Sequence, residues 1–411
     1  MLIISSDGLN STELVLAADA NNGMFIAGAT RNPQAMGLTT FDSGVVSEAF
    51  AARLDAQGKL LWSVPLKACG VPADIAAGPG DSVFVLCPNE PDVTTLMPST
   101  CDAMALVEKL AASDGHVVFE AQVKVPADPA DGYLCPYGLG VDAQGRSYVG
   151  GAYDGVFPIE RVFVSAVTAT GQQDWTFISD GATDISRDSP VAYPTDVDVD
   201  SNGNVIFAGG FNMWMKLGTT QLTSQAVYGA NSMYNGFIGR LSPSGSNPTG
   251  WQFGGTIFDL ATAIKPTSDG GFLVGGWVSG SATVGGKTVT ASADGSPMIA
   301  RFGSDGQATW AKALLDKGIT DDLAMSPDGK VQLVGLFANN ELLYTYDPTA
   351  NQMTSRKTVS GTTDGNSIRT NSVAVTTAGA VWISGTFTGT IDLGTGPLTT
   401  STVSAFLWKV N

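Results

Sequence analysis

Short apolar runs with period-two alternation recur along the whole chain, and Gly, Asp, Asn or Pro bounds each of them. Such alternation is typical of β-strands, and a Gly-containing turn between two runs is typical of a hairpin. The runs come in groups of four, which we label a to d in chain order. Each group predicts a four-stranded antiparallel sheet.

One opening motif, strands a and b joined by a tight turn, occurs seven times, for example as "DVDVDSNGNVIFAGG" and "IKPTSDGGFLVGG". The residues that close strand b are Gly28, Cys87, Gly150, Gly209, Gly275, Gly335 and Gly385. A repeat of about 60 residues with four strands matches one blade of a β-propeller. We therefore predict an all-β fold, a single seven-bladed propeller domain over residues 1–411.

The last repeat supplies strands a, b and c within residues 369–411 but ends before a strand d. The N-terminal stretch "MLIISSDGLN" aligns with strand d of the first repeat when Leu2 is placed on Leu61. We predict that residues 1–10 supply the fourth strand of the last blade. This pairing closes the ring and leaves no free sheet edge.

The repeats also carry a family resemblance. The stretches "KLGTTQLTSQ", "ATVGGKTVTASADGSPMIARFGSDGQATW" and "GTIDLGTGPLTTSTVSAFLWKV" resemble the bacterial β-propeller repeat (SBBP-type) family. The resemblance covers nearly the whole chain, and its motifs are specific for fold rather than activity. It implies an exported or surface-attached bacterial protein.

Charge and hydropathy exclude two classes of partner. The net charge is −17 and no cluster of Lys and Arg occurs, so the sequence predicts no nucleic-acid binding. No apolar run is long enough for a transmembrane helix. The first ten residues lack the basic start and apolar core of a secretion signal. Either the protein is cytosolic or a signal segment has been removed, and the extracellular or cell-surface location that we predict requires such a segment, which is not present in this chain.

The four cysteines, Cys69, Cys87, Cys101 and Cys135, are clustered, and their spacing matches no zinc pattern. An even, clustered set predicts two disulfides and an oxidising compartment. We favour Cys69 with Cys87 and Cys101 with Cys135. Pairing of Cys87 with Cys101 is the main alternative.

The b–c connections are long, and in a four-stranded meander they share one face with the d–a connections. Binding residues concentrate in long loops on rigid scaffolds. Trp214, Tyr228 and Tyr234 lie in the longest connection and do not recur in other repeats. They are candidates for contact with a sugar or peptide, because aromatic rings bind by stacking.

Acidic residues on the same face form a second candidate site. Asp74, Asp196 and Asp322 occupy equivalent positions at the start of strand a. Carboxylates that converge on a channel mouth can hold a cation or a cationic ligand. The alternative is that they accept hydrogen bonds from backbone amides of the adjoining loops.

One turn resembles half of a calcium loop. Asp198, Asp200 and Asn202 precede Gly203 at the required spacing, but Gly209 stands where the closing Glu belongs. A plain β-turn is the alternative interpretation. Calcium is the one cofactor that the sequence suggests.

The chain has one histidine, His116, in a short c–d turn on the face opposite the long loops. This placement disfavours a Ser-His-Asp triad. We predict a non-catalytic extracellular or cell-surface binding and adhesion module that presents its long loops to a glycan, a peptide or a protein. A carbohydrate-active hydrolase or lyase with acidic residues at the channel mouth is the first alternative. A structural subunit of an extracellular assembly is the second.

Overall fold

A computed structural model describes most of the chain, and every regular element in the described residues is a β-strand. The described residues are 2–4, 14–30, 48–88, 104–125, 133–156, 159–183, 190–226, 234–314, 317–337, 341–358, 367–394 and 396–410. In chain order the strands are β1 (Leu2–Ile4), β2 (Val15–Ala18), β3 (Met24–Thr30), β4 (Glu48–Leu54), β5 (Leu60–Pro65), β6 (Asp74–Gly78), β7 (Ser82–Pro88), β8 (Ala105–Ala111), β9 (Val117–Val123), β10 (Tyr133–Val141), β11 (Ser147–Val156), β12 (Ile159–Val167), β13 (Gln173–Ile178), β14 (Asp180–Gly181), β15 (Ala192–Val199), β16 (Val205–Phe211), β17 (Trp214–Leu217), β18 (Thr220–Thr223), β19 (Asn235–Leu241), β20 (Thr249–Gly255), β21 (Leu260–Pro266), β22 (Phe272–Val278), β23 (Ser281–Val284), β24 (Lys287–Thr290), β25 (Ser296–Phe302), β26 (Ala308–Ala313), β27 (Gly318–Met325), β28 (Val331–Phe337), β29 (Glu341–Asp347), β30 (Gln352–Thr358), β31 (Ser367–Val375), β32 (Val381–Asp392) and β33 (Pro397–Val410).

Within the described residues these strands form eight sheets. Six sheets have four strands, in the orders β2-β3-β4-β5, β6-β7-β8-β9, β10-β11-β12-β13, β21-β22-β25-β26, β27-β28-β29-β30 and β1-β33-β32-β31. The seventh sheet has six strands, β15-β16-β19-β20-β23-β24, and the eighth has three, β14-β17-β18. The all-β organisation in four-stranded antiparallel units is confirmed, but the predicted number of seven is wrong.

The number of sheets differs from the prediction because of the b–c connections, which the sequence predicted as loops. Two of them form hairpins, β17–β18 and β23–β24. In the second hairpin Val284 pairs with Lys287 across Gly285 and Gly286, whose φ angles are 53° and 81°. Two successive positive φ angles are typical of a type I′ hairpin turn. The β17–β18 hairpin pairs with β14 as a separate sheet, and β23–β24 extends β20.

The first and last strands pair as the sequence predicted, but the predicted register is wrong, because Leu2 corresponds to Val64 of the first sheet rather than to Leu61. Strand β1 runs antiparallel to β33, with Leu2 opposite Leu407, Ile3 opposite Phe406 and Ile4 opposite Ala405. The chain start therefore provides the fourth strand of the sheet that contains β31, β32 and β33.

The chain divides into two compact units, which are described separately. Unit 1 comprises Met1–Ser99, Glu108–Glu120 and Asp321–Asn411, and unit 2 comprises Thr100–Val107 and Ala121–Thr320. Each has its own apolar clusters, around Phe50 and Leu407 in unit 1 and around Phe237 and Phe272 in unit 2. That residues 1–411 act as one domain stays a prediction.

Strand-d tryptophans connect neighbouring sheets. Each packs against a positive-φ glycine in the c–d turn of the next sheet: Trp62 against Gly115, Trp175 against Gly245 and Trp251 against Gly306. A Cβ at any of these glycines would lie within 3 Å of the indole ring. The contact therefore requires glycine both for its φ and for its missing side chain.

A buried ion pair stabilises unit 1. The Arg53 guanidinium donates to Asp19 Oδ2 at 2.7 and 2.9 Å and to the Ala112 carbonyl at 2.6 Å. The two side chains are 10% and 3% exposed. The guanidinium also lies 5.4 Å from the ring centroid of Phe25.

The cysteine region is partly described. Cys69 and Cys87 form a disulfide, with their Cα atoms 5.2 Å apart, which joins the β5–β6 connection to the end of β7. This is the first of the two predicted pairs. Cys135 is buried in β10, and Cys101 lies outside the described residues. Its predicted pairing with Cys135 therefore stays a prediction.

Replacing Arg53 with Ala is expected to lower the free energy of unfolding by about 3 kcal/mol or more, because Asp19 would remain as an unpaired buried charge. Chemical unfolding measures the change. Arg301→Ala is the matched control, since Arg301 holds the equivalent position but pairs with Asp269, which is 58% exposed. The control is expected to cost less than about 1 kcal/mol. Equal effects of the two substitutions would contradict the importance of burial.

Candidate functional site

Five aromatic side chains form a continuous row on unit 2. In order they are Tyr137, Tyr193, Tyr234, Phe258 and Trp277, and the distances between successive ring centroids are 6.2, 5.8, 5.5 and 5.2 Å. Successive rings are tilted or edge to face, which is a favourable geometry for aromatic pairs. All five side chains are half-buried. We call this set the aromatic row.

The row draws on three sheets, and all of its rings except Tyr137 lie at strand ends where b–c and d–a connections begin or finish. Tyr137 lies at a register shift in β10, between Pro136 and Gly138, and Tyr193 is the second residue of β15. The other three flank strands: Tyr234 precedes β19, Phe258 lies in the β20–β21 connection and Trp277 is near the end of β22. Strand ends of successive sheets therefore bring the rings together.

Asp259 fixes the three rings at one end of the row. Its side chain is fully buried, and Oδ2 accepts hydrogen bonds from Gly255 N at 2.8 Å and Asn235 Nδ2 at 3.2 Å. Oδ1 accepts from Ser279 N at 3.1 Å, and the Asp259 backbone N–H donates to the carbonyl of Tyr234. These bonds join the chain segments that carry Tyr234, Phe258 and Trp277. Burial raises the pKa of the Asp259 carboxyl to about 6.

A pair of carboxylates lies near the other end of the row. Asp154 and Glu160 are opposite each other in β11 and β12. Burial, and secondly the charge of Asp154, raise the pKa of Glu160. Burial raises the pKa of Tyr193, and Tyr234, Tyr137 and Glu160 raise it further, so Glu160 interacts electrostatically with this ring of the row. One perturbed carboxylate beside a second one is an arrangement that occurs at catalytic sites.

Trp214, one of the predicted ligand residues, is half-buried in β17. It lines a small cavity together with Glu160, Arg161, Asp180 and Asn212. Tyr228 lies outside the described residues. Tyr234 is the middle ring of the aromatic row. Of the three predicted aromatics, only Tyr234 belongs to the row as described.

The predicted acidic residues have backbone partners. In both Asp196 and Asp322, Oδ1 accepts from the next residue's N–H, and Oδ2 accepts from the first strand of the following sheet, at Ile264 N and Val373 N, both 2.9 Å away. Lys265 Nζ also lies 3.0 Å from Asp196 Oδ2. This arrangement is the backbone-amide alternative, and it connects adjacent sheets.

Asp74, the third predicted acid, starts β6. Its Oδ1 accepts a hydrogen bond from Ile75 N at 2.7 Å, the same local contact that Asp196 and Asp322 make. The side chain is half-buried. Whether these acids also bind a cation stays a prediction.

The predicted calcium residues lie in the β15–β16 turn and its approach. Asp200 Oδ1 accepts from Asn202 N at 2.8 Å and Asn204 N at 2.9 Å, and Oδ2 accepts from Asn204 Nδ2 at 2.9 Å. Asp198 Oδ1 accepts from Val199 N. Both Asp200 oxygens therefore cap the turn. In the described part of the chain, no group of three or more His, Cys, Asp or Glu side chains is arranged to hold a metal ion.

Sequence reasoning missed most of the row. Trp277 was not among the candidate ligand residues. Tyr137, Tyr193 and Phe258 received no role. The available signal was a run of aromatics near the start of strand a in successive repeats: "CPYG", "AYPT" and "IFDL". His116 is 64% exposed and contacts Asp114, apart from any such cluster.

Another buried acid lies in β8. Glu108 is 1% exposed, and its Oε1 has no hydrogen-bond partner among the described residues. Burial, and secondly the charge of Glu120, raise the pKa of Glu108 to about 7. Its protonation state is therefore expected to affect stability near neutral pH.

Comparison with solved structures finds β-propellers. A streptogramin B lyase is 12% identical with a TM-score of 0.51, covering 99% of this chain and 97% of that one. The periplasmic gluconolactonase PpgL of Pseudomonas aeruginosa is 14% identical, with a TM-score of 0.52, and the match covers 88% of this chain and 95% of the gluconolactonase. The WD40 repeats of RRP9 are 10% identical, with a TM-score of 0.53, covering 99% and 97%. At these identities the likeness shows the fold alone.

No family model and no curated protein matches the chain. The resemblance to the bacterial propeller-repeat family is therefore confirmed only at the level of the β-propeller fold. The described residues include no helix of the length and apolarity needed to cross a membrane.

Asp259→Asn is expected to lower the free energy of unfolding by about 1–3 kcal/mol at pH 7.5, because an amide cannot accept all the donors that face the carboxylate. It should also weaken the near-ultraviolet circular dichroism of the aromatic row. Asp322→Asn is the control, since it removes a comparable acceptor in unit 1. Unchanged near-ultraviolet dichroism in Asp259→Asn would show that this carboxyl does not order the rings.

Glu108 is expected to make stability depend on pH. The pKa of Glu108 in the folded state, about 7, lies above the ordinary value of 4.5 for a glutamic acid, so the stabilisation is complete below about pH 4.5 and is lost as pH rises to about 7. The unfolding free energy of the wild type relative to Glu108→Gln should fall by roughly 3 kcal/mol between pH 4.5 and 8. Chemical unfolding across this range measures the difference, and a constant difference would contradict the assignment.

Proposed function

We propose that this protein is a non-catalytic binding module that holds an extended glycan along the aromatic row. The observation that carries the proposal is the row itself, five half-buried rings in unbroken succession on unit 2. Aromatic rings in the cores of the sheets, such as Phe207 and Phe237, are fully buried. The rings of the row keep part of their surface in solvent, where a ligand can contact them.

The chemistry of the row suits a sugar chain. Pyranose rings present apolar C–H faces that stack on aromatic rings, and their hydroxyl groups need hydrogen-bond partners. Tyr137, Tyr193 and Tyr234 supply both an aromatic face and a phenolic hydroxyl that donates and accepts. The length of the row favours an elongated ligand over a compact small molecule.

The proposed location is extracellular, cell-surface or periplasmic. The Cys69–Cys87 disulfide supports an oxidising compartment. The net charge of −17 supports a ligand other than nucleic acid. Adhesion to a glycan surface is the role in which we expect such binding to be used.

A hydrolase or lyase is the second candidate, and the Asp154–Glu160 pair favours it. A carboxyl group with a raised pKa beside a second carboxylate can divide the roles of acid and base. The lyase and the lactonase in the comparisons share only the fold with this chain, and a fold does not assign an activity.

The test measures binding of purified protein to soluble xylan, laminarin, glycol chitin, alginate and polygalacturonate by affinity electrophoresis. At least one polysaccharide should retard the wild type. Tyr193→Ala and Tyr234→Ala should each weaken that binding by about tenfold or more, as expected for central aromatic contacts. Tyr133→Ala is the matched control, because Tyr133 is 54% exposed on the same unit but lies outside the row. Wild-type affinity in the row variants, or no retardation by any polymer, would contradict the proposal.

The same polymers separate binding from catalysis. Incubation with the wild type is expected to release no reducing ends and no unsaturated sugars. Turnover that disappears in Glu160→Gln would replace the binding module with the hydrolase or lyase. Turnover that persists in Glu160→Gln would contradict both candidates.

A further inference from the structure

A second recess on unit 2 lies between the β17–β18 and β23–β24 hairpins. Its volume is about 560 Å³, within the usual range for ligand sites. Strand β20 contributes Gly250, Trp251 and Gln252, and the tip of the second hairpin contributes Gly285 and Gly286. We call this recess the amide groove.

The amide groove is uncharged. The side chains that define its chemistry are Gln221, Thr223, Gln225, Gln252, Gln307 and Trp251. None of the described residues that line it is Asp, Glu, Lys or Arg, although the protein has a net charge of −17. A charged ligand would lose hydration there without gaining an opposite charge. A neutral ligand rich in hydrogen-bonding groups matches the lining.

Gln252 fixes the width of the groove. Its Oε1 accepts a hydrogen bond from Thr223 N at 2.7 Å, and its Nε2 donates to the Thr223 carbonyl at 3.0 Å. The side chain thus bonds the backbone of β18 as a neighbouring strand would. Gln221, Gln225 and Gln307 are exposed around this bridge. Each of these amides offers two donors and one acceptor oxygen.

Trp251 provides an aromatic wall that is held in place. The indole packs on Gly306, where an added Cβ would lie 2.0 Å from Nε1, and its ring centroid is 5.9 Å from that of Phe272. At Gly286 an added Cβ would lie 3.0 Å from Gln307 Oε1, so glycine there leaves room beside that amide. A rigid ring beside amides is suited to stacking and hydrogen bonding of a sugar.

We propose that the amide groove binds a neutral oligosaccharide and is a site separate from the aromatic row. Its lining shares no residue with the row. Binding in the amide groove does not require the aromatic row. Either proposal can therefore fail while the other holds. An uncharged peptide added along β18 is the competing occupant.

The test uses the full chain with Tyr193→Ala and Tyr234→Ala, so that the aromatic row is impaired. Isothermal titration calorimetry measures binding of cellohexaose, xylohexaose, laminarihexaose, maltohexaose and N-acetylchitohexaose. Hexagalacturonate serves as the acidic probe, and a Gln/Thr peptide as the competing occupant. At least one neutral hexaose should bind, and hexagalacturonate should not.

Combined Gln221→Ala and Gln307→Ala should weaken the binding of that hexaose by about tenfold or more, because two hydrogen-bonding amides are removed. Gln172→Ala is the matched control, since Gln172 follows the c–d turn glycine of its own repeat as Gln307 does, but lies outside the groove. Gln172→Ala should leave the affinity unchanged. Thermal unfolding verifies that each variant is folded.

Four results would overturn the proposal. They are absence of binding by every neutral hexaose, equal affinity in the groove variant, preference for hexagalacturonate, and binding of the peptide alone. Polysaccharide binding that depends on Tyr193 and Tyr234 would still support the aromatic row in each of these cases.

Discussion

The structure depends on sheets whose second strand is buried on both faces. Every residue of β3, β7 and β16 is buried. A four-stranded sheet with such a strand cannot be stable alone, because both of its apolar faces need a cover. The tryptophan–glycine contacts provide part of that cover, since each indole lies against the turn of the next sheet. Substitution of the turn glycine would separate the indole from its packing surface.

Burial between sheets also determines which partners the polar side chains bond. The Arg53 guanidinium and the Asp19 carboxylate satisfy each other, and Asp196 and Asp322 bond the backbone of the following sheet. Glu108 is the contrast, because its Oε1 has no partner among the described residues. The backbone-amide alternative named the adjoining loops as donors, whereas the amides that bond Asp196 and Asp322 across sheets belong to strands β21 and β31.

The sequence was informative wherever one repeat resembled the next. Period-two runs identified the four-stranded sheets, the incomplete last repeat indicated that β1 pairs with β33, and the clustering of the cysteines indicated disulfides, of which Cys69–Cys87 is present. The count of sheets failed because glycine-rich b–c stretches were interpreted as loops. A two-residue turn at Gly285 and Gly286 makes a hairpin of one such stretch. The repeat pattern of four strands gives no information about which further strands these hairpins pair with. The aromatic row was missed for the same reason: its rings come from non-equivalent positions in three sheets.

Residues that do not recur are consequently the better guide to binding. Gln172 and Gln307 both follow a c–d turn glycine, but of the two only Gln307 lines the amide groove beside the β23–β24 hairpin. Tyr193 and Ala261 hold equivalent positions opposite Gly210 and Gly276, but only Tyr193 carries a ring, and that ring lies between those of Tyr137 and Tyr234. In each case the repeat determines where the residue lies, and a local difference from the other repeats gives that residue the neighbours that form a candidate binding site. Function in this fold is therefore expected where a neighbouring hairpin or ring makes one repeat unlike the others.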